Sequence, residues 1–386
     1  MREKKKESES KKKIFLNNNL SLPVRPSVLQ GLRQAVEDLP RDSFCYQEKL
    51  KEKIEVARER VAELLGVRAR EIFFVSGSVE ANNIAILGCP VAMEGKGDSF
   101  LVGSTEPISI LKPARSLKKR SLKLVEIPVD SDGRYSLEFL EENLNINHTF
   151  LSFSEINYET GVKHNVEGIC NIAKKVSAIV HLDASLSYLD IPKPSKLNID
   201  LMTIGGEEIG SIKGSGILFV REGTPIDPLF YGVKEGFCTE ENLFSALSFQ
   251  YALEEIFEVK NSEKKHLQKL KKLLISEMVS AGIEFKIIES DNSSPAIMTI
   301  VFEPYIEYMD GESFAERLLL KDILVSTAVK TIAEDRKVVS RTLMAIGLPE
   351  EELLSAVTIG LSYSNTPEEI KEAVKSMLEV IKEVRS

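Results

Sequence analysis

The sequence has few residues that could bind a metal or form disulfides, and it contains no tryptophan. Its four cysteines, Cys45, Cys89, Cys170 and Cys238, lie far apart and include no CxxC pair. This pattern fits neither a disulfide framework nor a zinc site. The four histidines are equally scattered, and none has the spacing of metal ligands. We therefore expect neither a bound metal nor a disulfide scaffold.

Long apolar runs and an excess of positive charge are also lacking. No uninterrupted apolar run reaches membrane-spanning length, and the N-terminal segment lacks the apolar core of a signal peptide, so we expect a cytoplasmic protein with no membrane partner. The formal net charge of −9 argues against a general nucleic-acid surface. The one basic cluster lies in residues 1–13, which mix Lys with Glu and Ser. We predict that this tail is a disordered, soluble arm.

Apolar segments of strand length alternate with helical segments through the first two thirds of the chain. Strands are predicted at residues 72–75, 100–103, 123–127, 149–154, 178–182, 201–204 and 216–220. Helices are predicted at residues 27–39, 48–65, 79–87, 107–119, 136–144 and 165–176. This alternation predicts an α/β fold with a parallel or mixed sheet that helices cover on both faces.

The pattern changes to α+β near residue 243. Residues 243–281 are mainly helical in pattern, and the remainder combines strands near 296–302, 323–326 and 357–362 with helices at 311–320, 334–346 and 367–384. We predict a large α/β domain over residues 14–245 and a smaller α+β domain over residues 246–386. The N-terminal segment of the large domain is expected to pack on the small one.

Four runs of the sequence resemble motifs of one family. Residues 15–29 resemble the start of the family's sequences, and residues 74–83 (FVSGSVEANN) resemble its TSGATEANN motif. Residues 181–185 (HLDAS) resemble its HVDAAQ motif, and residues 210–221 resemble the segment that follows the family's Schiff-base lysine. The family is the class V aminotransferase-fold pyridoxal-phosphate (PLP) proteins, specifically the NifS-like cysteine desulfurases. The resemblance covers most of residues 14–384. It implies a fold-type I PLP-transferase architecture with a mostly parallel, seven-stranded mixed sheet.

The resemblance assigns cofactor-binding roles to five residues. A strand, a glycine turn and a helix N-terminus form a phosphate cradle from exposed N–H groups and the helix dipole. Gly77, Ser78 and Val79 match that cradle, and Val79 replaces a threonine that contacts the phosphate. Asp183 matches the carboxylate that keeps the pyridine nitrogen of PLP protonated. Asn157 matches an asparagine near the phenolic oxygen of the cofactor.

The residues at the reacting centre depart from the family's pattern. Glu208 occupies the position of the lysine that forms the Schiff base, and Glu207 occupies that of the preceding histidine. A carboxylate cannot form an imine. Lys213 aligns with an additional family lysine, and we expect it to point elsewhere.

Further positions that contact the substrate or the cofactor are also replaced. The family's serine, stacking histidine, glutamine and substrate-carboxylate arginine correspond to Gly205, Pro107, Leu186 and Tyr363. The loop over residues 326–336, where the family has its nucleophilic cysteine, contains no cysteine. The resemblance therefore extends over the motifs of the fold but not over the residues that contact the substrate or form the imine.

Three functions remain open from the sequence. The favoured one is a catalytically silent homologue that acts as a partner, scaffold or regulator in sulfur transfer or iron–sulfur assembly. The alternative is a PLP-binding enzyme of altered mechanism that acts on an amino acid, with noncovalent PLP or a lysine from a partner. The third is an enzyme that uses Glu207 or Glu208 as a general base. By family analogy we expect a homodimer, or a heterodimer with an active paralogue.

Overall fold

The structure is a computed structural model that describes residues 13–38, 43–232, 237, 241–303, 310–327, 329–332 and 336–385. The basic tail predicted at residues 1–13 lies outside the described residues except for Lys13. Among the helices of the described ranges, none is long and apolar enough to cross a membrane.

Strands alternate with helices along the described chain. The strands are β1 (Ile14–Leu16), β2 (Ile72–Val75), β3 (Ser99–Gly103), β4 (Lys123–Ile127), β5 (His148–Ser154), β6 (Ile179–Asp183), β7 (Leu201–Gly205), β8 (Gly216–Val220), β9 (Glu284–Ile288), β10 (Ile297–Glu303), β11 (Ile323–Thr327), β12 (Val329–Ile332), β13 (Arg336–Val339) and β14 (Ala356–Gly360). The helices are α1 (Pro26–Glu37), α2 (Ser43–Leu65), α3 (Ser78–Ala92), α4 (Ile108–Ser116), α5 (Leu137–Asn143), α6 (Val166–Lys175), α7 (Pro194–Leu197), α8 (Leu243–Ser280), α9 (Gly311–Leu320), α10 (Arg341–Ile346), α11 (Glu350–Ser355) and α12 (Pro367–Arg385).

The larger sheet has seven strands in the order β2-β8-β7-β6-β5-β3-β4. Strands β7, β6, β5, β3 and β4 pair in parallel. Strand β8 is antiparallel to both β7 and β2, so β2 runs in the same direction as the parallel set. The predicted α/β fold and its mostly parallel seven-stranded sheet are confirmed.

Apolar side chains are buried on both faces of this sheet. Every residue of β3, β6, β7 and β8 is buried, as expected for strands that helices cover on both sides. On one face Val61 of α2 and Phe249 of α8 belong to the same apolar cluster as Phe153. On the other face Ile84 of α3 and Ile110 of α4 pack in a second cluster. The loops at the strand ends are therefore anchored to a rigid layer.

A second sheet has five strands in the order β1-β11-β14-β10-β9. Strand β1, from the N-terminal segment, pairs in parallel with β11. The domain boundary that we predict after residue 245 falls just inside the 38-residue helix α8, which packs against α1 and α2 as well as α12.

The helix predicted at residues 334–346 is wrong over its first part. Residues Arg336–Val339 form strand β13, which pairs antiparallel with Val329–Ile332, and helix α10 begins only at Arg341. Both strands contain β-branched residues, which favour an extended pairing over a helix. Strand β9 was not predicted from the sequence, because its charged residues alternate with apolar ones inside a short segment.

Candidate functional site

Polar residues from five separate motifs meet at one edge of the larger sheet. Strands β2, β3, β5, β6 and β7 run in the same direction, so their carboxyl ends share this edge, where open α/β sheets bind ligands. The residues just beyond or at these ends include Ser78, Glu106, Asn157, Asp183 and Glu208. The sheet topology thus assembles the residues that the sequence motifs identified.

The backbone of the predicted phosphate cradle is present after β2. Gly77 has φ +147°, in a region that favours glycine, and precedes α3 without a side-chain cap. The Glu80 carboxylate accepts a hydrogen bond from the backbone N of Ser76 at 2.6 Å. Val79 is 61% exposed and has no hydroxyl. The cradle therefore keeps its turn and helix N-terminus but presents an apolar side chain in place of a donor.

The Glu208 side chain turns into this cradle from the short 3₁₀ turn after β7. Its Oε1 atom accepts a hydrogen bond from Ser78 Oγ at 3.0 Å. A Cβ atom added at Gly205 would overlap the Glu208 carboxylate, so the glycine provides the space that this carboxylate fills. Burial, and next the charge of Asp183, raise the pKa of Glu208 to about 7. An acidic group therefore lies beside the cradle, at the position where the family that the sequence resembles has its Schiff-base lysine.

The neighbouring Glu207 forms an ion pair at the surface. Glu207 Oε2 lies 3.1 Å from Lys213 Nζ, and the Lys213 side chain is 84% exposed. The two adjacent carboxylates therefore have different surroundings, and Lys213 pairs at the surface with Glu207.

Asp183 is held in place by three hydrogen bonds at the end of β6. Its Oδ2 atom accepts from Asn82 Nδ2 at 2.8 Å, and its Oδ1 atom accepts from Ser185 N at 3.0 Å and from Ser185 Oγ at 2.6 Å. Ser185 Oγ also accepts from the backbone N of Gly205 at 3.0 Å, which links β6 to β7. Burial raises the pKa of Asp183.

Asn157 uses its side chain mainly within its own turn. Its oxygen accepts from the backbone N of Glu159 and of Thr160, each at 3.0 Å. Its amide nitrogen donates to the backbone oxygen of Thr105 at 3.3 Å. Asn157 therefore fixes the wall of the site between β3 and β5.

Glu106 is a buried acidic residue that sequence reasoning missed as part of the site. Tyr135 donates to its Oε1 atom at 2.6 Å, and Ser154 donates from its backbone N to the same atom at 2.7 Å. Burial is the largest influence on its pKa, which is raised to about 7, and Asp183 adds to the rise. The available signal was the Glu-Pro pair that begins three residues beyond the end of a buried strand.

Tyr363, at the position of the family's substrate-carboxylate arginine, faces an arginine from another part of the chain. Its hydroxyl donates to the backbone oxygens of Pro23 and Val24 at 3.2 Å. The Arg25 guanidinium lies 4.7 Å from the centre of its ring. Arg25 is fully buried and pairs with Glu263 at 3.1 Å. This guanidinium is engaged with the protein's own carboxylates and aromatic rings.

The two other replaced positions contribute no obvious ligand donor. Pro107 is the N-cap residue of α4 and lacks an N–H. Leu186 packs against the apolar core of the second sheet.

The two described thiols, Cys89 and Cys170, are both buried. Burial raises the pKa of the Cys170 thiol to about 12 and that of Cys89 well above its usual value. Neither is suited to act as a nucleophilic thiolate. Within the described ranges, no three His, Cys, Asp or Glu side chains come together in a way that could hold a metal ion.

The residues present do not fit PLP bound through an imine. Glu208 has no amine, and the Ser78 hydroxyl that could contact a phosphate donates to Glu208 instead. Asp183 alone keeps the acceptor that a protonated pyridine nitrogen would need.

Comparisons with known proteins find relatives that match most of the chain. The family model for class-V aminotransferases matches residues 34–372. Cysteine desulfurase IscS 1 of Archaeoglobus fulgidus is 29% identical over 354 residues, which cover 90% of each chain. Cysteine desulfurase IscS of Dictyoglomus turgidum is 26% identical over 383 residues, covering 97% of this chain and 96% of its own. A solved NifS-like protein superposes with a TM-score of 0.86 at 26% identity, covering 96% of this chain and 99% of its own. The chain therefore belongs to the class-V aminotransferase family, among the homologues of the cysteine desulfurases.

Proposed function

We propose that this protein is a catalytically silent member of the cysteine desulfurase group, kept as a partner, scaffold or regulator. The observation that supports this most is the position of Glu208, whose carboxylate lies in the phosphate cradle and accepts a hydrogen bond from Ser78. It replaces the one amine that the family's chemistry requires.

Charge repulsion gives a second reason why the cradle is poor for a phosphate. Two like unit charges about 4 Å apart repel by about 4 kcal/mol at an effective dielectric of 20. That energy corresponds to a roughly thousandfold loss of affinity. With a pKa of about 7, Glu208 can also take up a proton, so the repulsion is an upper limit.

The loop that carries the family's sulfur-accepting cysteine has no cysteine here, which supports the same conclusion. The sequence has no cysteine in residues 326–336, of which residues 328 and 333–335 lie outside the described ranges. Cys89 and Cys170 are buried thiols with raised pKa values.

Sulfide release from L-cysteine tests this proposal directly. The purified protein, supplied with excess PLP and a thiol reductant, is compared with an active cysteine desulfurase under the same conditions. We expect no sulfide above the protein-free blank. Sulfide formation that depends on both PLP and this protein would overturn the proposal.

We further propose that the protein works as a homodimer, with sulfur-transfer or iron–sulfur assembly proteins as partners. The names of its relatives and the family analogy support this. Light scattering should give twice 43.1 kDa, or 86.2 kDa, for a homodimer. A mass of 43.1 kDa, shifting only when an active paralogue is added, would instead favour a heterodimer.

The cysteine-poor composition supports a cytoplasmic location.

Noncovalent PLP binding, with chemistry on an amino acid, is the second candidate. It is favoured by Asp183, which keeps a buried carboxylate held by Asn82 and Ser185. On this second candidate, titration with PLP should show saturable binding at millimolar concentration or below. No PLP binding in that range would rule the candidate out.

A further inference from the structure

We propose that the outer side of helix α4 and of the 3₁₀ turn that follows it is a docking surface for an acidic segment of a partner protein. We call this surface the basic face. It consists of Lys112, Arg115, Lys118, Lys119, Arg120 and Lys123. The inference rests on the proposed role as a partner or scaffold, and it names the chemistry that the partner presents.

The basic face has the opposite charge to the rest of the protein. Residues 107–125 contain six Lys or Arg residues and no Asp or Glu, whereas the whole chain has a formal net charge of −9. Since these six residues contribute +6, the remainder of the chain carries −15. A local excess of positive charge attracts anionic groups and steers their approach.

The side chains of the basic face lie on the solvent side of the helix. Lys112, Arg115 and Lys119 follow one another at spacings of three and four residues, so they share one side of the helix. Ile110 and Ala114 are buried and belong to the same apolar cluster as residues of α3. All six basic residues are exposed. The apolar side therefore fixes the helix, and the basic side remains accessible to a partner.

Most cations of the basic face have no carboxylate of the protein as a partner. Arg115 pairs with Glu126 at 3.2 Å, and Lys123 pairs with Asp98 at 2.6 Å. The other four form no ion pair with a carboxylate in the ranges that the structure describes. They are Lys112, Lys118, Lys119 and Arg120.

The helix dipole explains only part of this arrangement. It favours basic residues in the last turn of a helix, which is where residues 118–120 lie. Lys112, however, lies in the middle of α4, and Lys123 begins strand β4. The basic face therefore extends beyond the residues that the dipole would favour.

A short acidic segment fits the basic face better than a nucleic acid or a membrane does. From Lys112 to Arg120 the helical backbone advances by about 12–16 Å, a length that about five residues of extended chain cover. A duplex or an anionic membrane would extend past this face onto the remainder of the protein, whose net charge of −15 repels it. A run of Asp and Glu residues can contact the basic face alone.

Fluorescence anisotropy of a labelled deca-glutamate peptide, titrated with the full chain, tests the inference. The ionic strength is about 0.1 M, at which exposed charges more than about 10 Å apart are largely screened. We expect saturable binding that weakens as further salt is added. Replacing the four unpaired cations by Gln should weaken binding by about tenfold or more, because each exposed ion pair contributes a modest amount. This variant combines Lys112→Gln, Lys118→Gln, Lys119→Gln and Arg120→Gln.

Two control variants remove the same charge from other basic segments, one on the exposed side of α8 and one in the N-terminal tail. Both should bind the peptide about as tightly as the wild type does. The α8 variant combines Lys264→Gln, Lys265→Gln, Lys269→Gln and Lys272→Gln, and the tail variant combines Lys4→Gln, Lys5→Gln, Lys6→Gln and Lys11→Gln.

Four outcomes would overturn the inference. They are no saturable binding of the peptide, an equal loss in either control variant, tighter binding of a labelled thymidine decanucleotide, or tighter binding of phosphatidylserine vesicles. The last two would assign the basic face to a nucleic acid or to a membrane.

Thermal unfolding of each variant checks that it folds. If the fourfold variant of the basic face does not fold, Lys112→Gln/Lys119→Gln replaces it, with an expected loss of about threefold or more. The titration contains neither PLP nor cysteine. Its failure is therefore distinct from failure of the silence proposal, which sulfide release decides.

Discussion

At the scale of single residues, Gly205 and Glu208 act as a matched pair. The Glu208 carboxylate lies where a Cβ atom of residue 205 would be, and it reaches Ser78 from that position. The family that the sequence resembles has a serine and a lysine at these two positions. The Glu208 carboxylate can therefore take this position only while residue 205 is a glycine.

We expect Gly205→Ala to destabilise the protein by about 1–3 kcal/mol, because the added methyl group overlaps the Glu208 carboxylate. Urea denaturation measures this. The double variant Gly205→Ala/Glu208→Ala should recover most of the loss, since the carboxylate is gone. Gly205→Ala/Glu207→Ala is the matched control and should recover none of it. Equal recovery in both double variants would show that the two residues do not compete for space.

The raised pKa of Glu208 predicts a pH dependence of its contribution to stability. The folded protein holds this proton up to a pH of about 7, against an ordinary value of 4.5. The folded state thus binds more protons than the unfolded state between these values, and stability falls as the pH rises through that window. Glu208→Gln removes the effect.

The free energy of unfolding of Glu208→Gln, relative to wild type, should therefore rise by up to about 2–3 kcal/mol from pH 5 to pH 8. Glu106, whose pKa is also raised to about 7, titrates in both proteins and largely cancels in the difference. A difference that is the same at both pH values would contradict the assignment of the raised pKa to Glu208.

At the scale of elements, the N-terminal segment holds the turn that contains Glu208. The backbone N of Leu22 donates to the Glu207 oxygen, and that of Arg25 donates to the Gly210 oxygen, both at 2.8 Å. Arg25 Nε also donates to the Ile209 oxygen at 2.9 Å. Its guanidinium then reaches Glu263 in α8. One side chain thus ties the N-terminal segment, the turn and the long helix together.

Arg25→Met should destabilise the protein by about 3–5 kcal/mol, because it leaves the Glu263 carboxylate buried without its partner. Arg33→Met, which removes an exposed arginine paired with Glu37, should change stability by less than about 1 kcal/mol. Urea denaturation of the two variants gives the comparison. Adding Glu263→Gln to Arg25→Met should restore part of the loss, and similar costs for the two arginines would contradict this role.

The elements differ in how well the sequence predicts them. Strands such as β2 and β8 are predicted because each contains a continuous apolar run of four residues, which is typical of strands covered on both faces. The hairpin of β12 and β13 is missed because a short β-branched segment beside a helical one has no clear periodicity. The role of Arg25 is missed because its partner Glu263 lies 238 residues away along the chain. Motif resemblance identified Asp183 and Glu208, but only the structure shows that Ser78 and Asn82 hold them on one helix face.

At the scale of the whole molecule, the scaffold of a PLP enzyme is kept while its reactive groups are replaced. The seven-stranded sheet, the glycine turn before α3 and the strand-end Asp183 all remain. The positions that would form the imine and bind the substrate carboxylate hold Glu208 and Tyr363. This combination is the basis for our proposal that the protein acts as a partner, scaffold or regulator.

The absorbance spectrum of the protein after incubation with excess PLP and removal of free cofactor tests the silence of the site most directly. An active cysteine desulfurase treated in the same way is the positive control. We predict no band near 400–430 nm and no change of the 43.1 kDa mass after borohydride. A retained band that borohydride abolishes, with a covalent increase in mass, would contradict the account.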